Sequence, residues 1–116
     1  MSTAAITTPK FFGLLELNEA GTVLYARAEP DGGQQSQVLD ATGRNFYTEI
    51  APFENVVELR EQLDHFNGSA KQCDSIRFTC QYADGPQPVK ILFARIRERG
   101  AREVTKSILV HIRRAE

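Results

Sequence analysis

Ser75-Ile76-Arg77-Phe78-Thr79-Cys80-Gln81-Tyr82 alternates without a break: Ile76, Phe78, Cys80 and Tyr82 point one way, Arg77, Thr79 and Gln81 the other. A period of two marks a strand with one face buried and one in water. Downstream, Asp84-Gly85-Pro86 reads as a turn, and Pro88–Arg97 (PVKILFARIR) as a strand with its proline at the tolerated first position. The alternation slips near Leu92-Phe93, which predicts a bulge or two-sided burial there. Glu98–Glu103 is a charged loop around Gly100. Val104–Arg113 (VTKSILVHIR) closes the chain as another strand, with Ile108, Val110 and Ile112 on its apolar face and His111 on its polar one.

Upstream, residues Glu54–Phe66 form the clearest helix. Val56, Leu59, Leu63 and Phe66 recur at intervals of three, four and three, making one apolar stripe, while Glu58, Arg60, Glu61 and Asp64 face water. Asn55 with Glu58 three residues on predicts an N-cap, and Asn67-Gly68 a left-handed exit. Gly43–Pro52 (GRNFYTEIAP) reads as one or two helical turns ended by the restriction proline imposes on its predecessor. Phe11–Asn18 and Thr22–Arg27 are apolar runs around a turn at Gly21, hence a hairpin. Pro30 ends it, and Asp31–Gln37 (DGGQQSQ) is a flexible or weakly helical connector. Residues 1–10 read as a loose tail and 11–116 as one domain. The order β-β-α-α-β-β-β predicts an α+β fold: a five-stranded antiparallel sheet with two or three helices on one face.

The bulk composition sets further bounds. At 116 residues and 41% hydrophobic, the chain suits a single core. Fourteen basic against fifteen acidic side chains leave a net charge of −1, without the basic excess expected of a nucleic-acid binder. Arg95, Arg97, Arg99, Arg102, Lys106, Arg113 and Arg114 do crowd the last quarter, where strands with one solvated polar face would put them. No stretch approaches the roughly 20 apolar residues of a membrane span, and Met1–Lys10 lacks the apolar core of a secretory signal. Cys73 and Cys80, seven apart, fall on opposite faces if one strand holds both, so they cannot bond each other. Reduced thiols and a cytoplasmic location are the simplest expectation.

The element order is that of a PAS domain, and particular residues extend the likeness. Gly43-Arg44-Asn45-Phe46-Tyr47 followed by Ile50-Ala51-Pro52, Phe12-Gly13 with the turn at Gly21, and Phe78-Thr79-Cys80-Gln81-Tyr82 followed by Pro86 and Val89-Lys90 resemble the photoactive yellow protein branch of the PAS family. The likeness runs from Phe11 to about Ile96 and resumes over Ile108–Arg114. It implies the PAS fold and a role in bacterial signalling. It does not carry the family's chromophore site. Where the resemblance places the cysteine that bonds a coumaric acid thioester, this chain has Phe53. The phenolate-holding tyrosine and glutamate fall on Ala26 and Pro30, and the neighbouring threonine and arginine on Gln34 and Ser36. A buried phenolate without partners is very costly, so no chromophore and no other cofactor is expected.

The candidate site is the region a PAS ligand would occupy, lined by Leu15, Phe46, Ile50, Ala51, Phe53, Phe78, Cys80 and Tyr82. Phe53 either plugs it, giving a solid core, or leaves a pocket for a small apolar ligand. A haem sensor through His65 is the remaining alternative, although the apolar stripe includes Phe66 and excludes His65. No Ser-His-Asp order, phosphate loop, metal-ligand spacing or paired carboxylates emerges, so the chain is expected to be non-catalytic. The sheet face opposite the helices carries Leu92, Ala94, Ile96 and Leu109 among its charges, which predicts a homodimer across this face or through the N-terminal segment, with a further signalling partner possible and neither nucleic acid nor membrane as partner.

Overall fold

The computed structural model describes residues 11–28, 37–38, 41–51, 53–98 and 104–115. The predicted tail at 1–10, Pro30, most of the 31–37 connector, Pro52 and the loop residues 99–103 lie outside the described residues. Strands β1 (Gly13–Leu17), β2 (Val23–Ala28), β3 (Gln37–Val38), β4 (Cys73–Tyr82), β5 (Gly85–Glu98) and β6 (Val104–Arg114) form one sheet in the order β3-β2-β1-β6-β5-β4. Every neighbouring pair is antiparallel. The five predicted strands are therefore all present, and a two-residue strand, β3, joins the edge beside β2. A π-helical turn (Phe46–Ile50) and helix α1 (Val56–Asn67) complete the α+β architecture. No helix among the described residues is long and apolar enough to cross a membrane.

One face of the sheet supplies the core. Leu15 and Leu17 from β1, Cys80 and Tyr82 from β4, Val89, Ile91 and Phe93 from β5, and Ile108, Val110 and Ile112 from β6 are buried, together with Leu59, Leu63 and Phe66 of α1. The helix stripe read from the sequence is thus the packed face, with Val56 half-buried at its start.

Several local expectations are corrected. Asn55 occupies the N-cap position but makes no capping bond. Its amide nitrogen donates to Thr79 O (2.8 Å) and Glu58 Oε2 (3.1 Å), and its Oδ1 accepts from Gln81 N (2.8 Å). With Glu54 N donating to Gln81 O at 2.7 Å, residues 54–55 clamp the Thr79–Gln81 end of the outer edge of β4, closing that part of the edge to other chains. Gly68 leaves the helix in a right-handed conformation (φ −80°, ψ −4°), not a left-handed one. Phe66 O accepts from Ser69 N (3.0 Å) and Ser69 Oγ (2.6 Å) and Asp64 O from Gly68 N (3.0 Å), and further donors around the exit come from Arg95. Its Nη2 donates to Phe66 O (2.9 Å) and Ser69 O (3.1 Å), its Nη1 to Asn67 O and Oδ1, and its Nε to Lys71 O. The guanidinium also lies 5.1 Å from the centre of the Phe66 ring.

That placement overturns the solvated position assigned to Arg95. The β4–β5 register runs unbroken from Cys73↔Ala94 to Tyr82↔Gly85, so nothing slips at Leu92-Phe93; the irregularity lies at Ile96/Arg97 against β6. Unbroken alternation sends Ile91, Phe93 and Arg95 inward and leaves Leu92 46% exposed. Strand β5 also begins earlier than Pro88, because residues 85–88 pair with β4 alone and Val89 is the first residue paired on both sides. The Pro88 carbonyl accepts from Ala115 N beyond the end of β6, so the proline nitrogen, with no hydrogen to donate, faces the same flank outside the β5–β6 ladder.

Candidate functional site

Two pinned segments deliver the aromatic side chains of the site. Asn45 Oδ1 accepts from Tyr47 N (2.9 Å) and Thr48 N (3.1 Å), while Glu49 Oε2 accepts from Asn45 N (2.9 Å), a reciprocal cap on the π-helical turn. Asn45 Nδ2 reaches Ala20 O, Val23 N donates to Arg44 O, and Phe46 N donates to Gly21 O, which ties the turn to the β1–β2 hairpin. Gly21 is required twice. Its φ is +88°, and a Cβ there would lie 2.4 Å from the Tyr47 ring. Phe46 is consequently held at 1% exposure. On the other side, the clamp of residues 54–55 onto β4 leaves the preceding residue, Phe53, over the covered face of the sheet.

Phe53 is 4% exposed. Its ring meets three others edge-on: Phe46 at 6.4 Å, Phe78 at 6.3 Å and Tyr82 at 5.9 Å between centroids. These separations fall in the range where edge-to-face pairs attract. Leu15 and Cys80 are fully buried in the same cluster, and Ile50, Ala51 and Phe78 are partly buried against it. All eight sequence-derived site residues thus belong to one core, and Phe53 is its junction.

The electrostatics are those of an apolar interior. Burial pushes the Cys80 thiol from 9.0 up to about 12, so it is a neutral, inert group at physiological pH. Burial likewise raises Tyr82 from 10.0 to about 12, although its hydroxyl oxygen accepts from Phe11 N at 3.0 Å. Tyr47, edge-on to Phe46 at 5.9 Å and covered by the Arg60 guanidinium at 5.2 Å, is raised to about 12, chiefly by burial. Cys73 is exposed and Cys80 buried, both as free thiols, as their odd spacing on one strand requires. His65 is exposed on α1 and not part of the core cluster. Among the described residues, no three His, Cys, Asp or Glu side chains gather as a metal site needs. Ala26, at the position the resemblance gives to a phenolate-holding tyrosine, is buried at 1%; Pro30, Gln34 and Ser36 lie outside the described residues.

Sequence reasoning missed Tyr47, Asn55 and Arg95. For Arg95 the signal was present, since it shares the parity of Val89, Ile91 and Phe93. For the hold of Asn55 on β4 there was none, because those partners are 24 and 26 residues away.

A cavity of about 350 Å³ lies outside this core, lined by Arg77, Lys90, Arg113, Arg114 and Ala115. It is cationic, and none of the eight expected pocket residues lines it. No family model matches the chain, and no curated protein does.

Proposed function

We propose that the chain is a non-catalytic PAS-type module of bacterial signalling that acts by docking to protein partners, with its ligand site filled by its own side chain. The observation that carries this reading is Phe53. It stands where the resemblance places the chromophore cysteine, and its ring occupies the centre of the site between Phe46, Phe78 and Tyr82. Interiors pack densely by default, and a ring with three edge-on neighbours leaves the site to the protein itself. The order of strands and helices in the sheet supports the PAS assignment.

An apolar ligand would need the space those rings take. Haem through His65 would need that side chain turned into the core, whereas it is solvent-exposed. With the core occupied, information passes through surfaces. The sheet face away from α1 carries Leu92, Ala94, Ile96 and Leu109, which sit in neighbouring positions of β5 and β6 (Ala94↔Leu109). We assign the end of this face around Ala94, Ile96 and Leu109 to self-association with a second copy of the chain, in the cytoplasm, which leaves the far end of the face open.

Native mass spectrometry of protein purified without refolding tests both halves together. The expected result is a dimer at twice the chain mass with no apolar small molecule bound. A stoichiometric apolar adduct, or a chromophore adduct formed with activated coumarate, would overturn the filled-core reading.

A further inference from the structure

On the face of the sheet opposite the core, three cations stand side by side on three adjacent strands. Arg77 of β4 is directly opposite Lys90 of β5, and Lys90 is directly opposite Arg113 of β6. All three are exposed. Directly opposed residues on one face have Cβ atoms about 4.5–5.5 Å apart, and like charges so placed destabilise a ladder. The row therefore works against the fold in the absence of a counter-charge. Glu16, an acid on the same face, stands two rows away in register with Leu109, and its carboxylate accepts from Ser107 at 2.7 Å.

The row is not a flat patch. Arg77, Lys90 and Arg113 line the cavity of about 350 Å³ together with Arg114 and Ala115. Lys90 and Arg113 also line a smaller one of about 140 Å³ with Ser75, Leu92 and His111. The two depressions share Lys90 and Arg113 and so adjoin along the row, the larger being the trough that all three cations line. The larger is within the roughly 300–1,000 Å³ typical of small-molecule sites. Arg114 is held at its rim, its guanidinium 5.3 Å from the centre of the Phe12 ring.

We propose that this trough is a binding site for a small oligophosphate: a ligand whose linked phosphates span the Arg77–Lys90–Arg113 row. Three cations two strand spacings across, about 10 Å end to end, exceed what one monoanion can neutralise and match an anion whose charges are themselves in a row. Arginine forks grip phosphate oxygens in pairs, and lysine supplies a point charge between them. Binding removes the mutual repulsion that the empty row carries, so the ligand stabilises the fold as it binds.

Isothermal titration of the full chain at low ionic strength, with inorganic tripolyphosphate as the probe, tests the site. The expected result is saturable binding of one tripolyphosphate per chain, much weaker binding of monophosphate, and affinity that falls steeply with added salt. A nucleoside triphosphate should compete with tripolyphosphate for the same site; failure to compete counts against the proposal. Lys90→Gln and Arg113→Gln should each weaken binding about 10-fold or more, while Arg60→Gln on α1 leaves it unchanged. Because the three side chains are exposed, the variants should fold, and ligand-free Lys90→Gln should melt above the wild type through loss of the repulsion. Three results would overturn the assignment: no saturation, equal weakening by Arg60→Gln, or a lower melting point in ligand-free Lys90→Gln. An oligothymidylate that binds undiminished in saturating tripolyphosphate would give the row to a nucleic-acid backbone instead, and so also refute it.

Discussion

Replacing Phe53 by alanine separates a plugged core from an open pocket. Phe53 is 4% exposed and touches three rings within 6.4 Å. A phenylalanine of this kind buries about 150–250 Å², which at about 25 cal/mol per Å² corresponds to roughly 4–6 kcal/mol before relaxation. Measured Phe→Ala changes at buried sites cost about 3–5 kcal/mol. The upper part of that range is expected, because the two clamps on residues 45–48 and 54–55 keep the walls from collapsing inward. For a domain of this size each kcal/mol moves the melting point by about 4 °C, so Phe53→Ala should melt roughly 16–20 °C lower. Urea unfolding followed by circular dichroism should show a lower midpoint with an unchanged slope. The vacated space is walled by Phe46, Phe78 and Tyr82, and apolar cavities of this sort stay dry and take up small aromatics. Benzene or indole should therefore raise the melting point of Phe53→Ala and leave the wild type unmoved. A cost within about 0.5 kcal/mol, which is what exposed positions show, or a wild type that responds to the same aromatics, would refute the filled core.

Other consequences are open to simple assays. Arg95→Met keeps the packing over Phe66 and removes the donors to the carbonyls of Phe66, Asn67, Ser69 and Lys71; a loss of about 3–5 kcal/mol is expected, and hydrogen exchange should show the C-terminal turn of α1 opening first. An aromatic disulfide reagent at pH 8 should label one thiol quickly, the exposed Cys73, while Cys80, with its pKa near 12 and only about one part in ten thousand ionised, reacts at the rate of unfolding. Cys80, Tyr47 and Tyr82 all have folded-state values raised to about 12 from 9.0 or 10.0. The folded state thus holds more protons on these groups than the unfolded one across that window, and their contribution to stability should be constant below pH 9 and lost between pH 9 and 12, with Cys80→Ala losing the earliest part of the decline. Ile96→Asp should convert the dimer to monomer in light scattering at high micromolar concentration; a wild type that is already monomeric there would sink the sheet-face assembly.

What could be read from the sequence divides along the range of the interactions involved. The alternation in Ser75–Tyr82 and the three-four spacing from Val56 to Phe66 each report a burial face that local periodicity dictates, and both faces are the packed ones. The eight-residue site followed from the same periodicities together with the resemblance at residues 43–53. What the sequence could not show was how ends and edges are satisfied. Asn55 looked like a cap because caps are local, yet its bonds go to β4, where an open edge needs closing. Gly68 looked like a left-handed exit, yet it stays right-handed, and Phe66 O is shared between Ser69 and an arginine 29 residues further on.

Arg95 joins these two cases and shows why the error was physical. Its charge argued for water, and the apolar run Ile91-Leu92-Phe93 argued for a slip that would turn it outward. The ladder with β4 overrules both, because ten consecutive pairs leave no room for an extra residue. Once the alternation is forced, a guanidinium must enter the covered face, and the place that accepts it is the negative end of a helix dipole with open carbonyls. The same unbroken ladder sets Arg77 against Lys90 on the outer face, and the β5–β6 pairing adds Arg113. Register alone thus accounts for both cationic features. The inward arginine is satisfied within the fold, by Phe66, Asn67, Ser69 and Lys71; the outward three are set against one another by the ladder, and it is there, not in the filled core, that a ligand is to be sought.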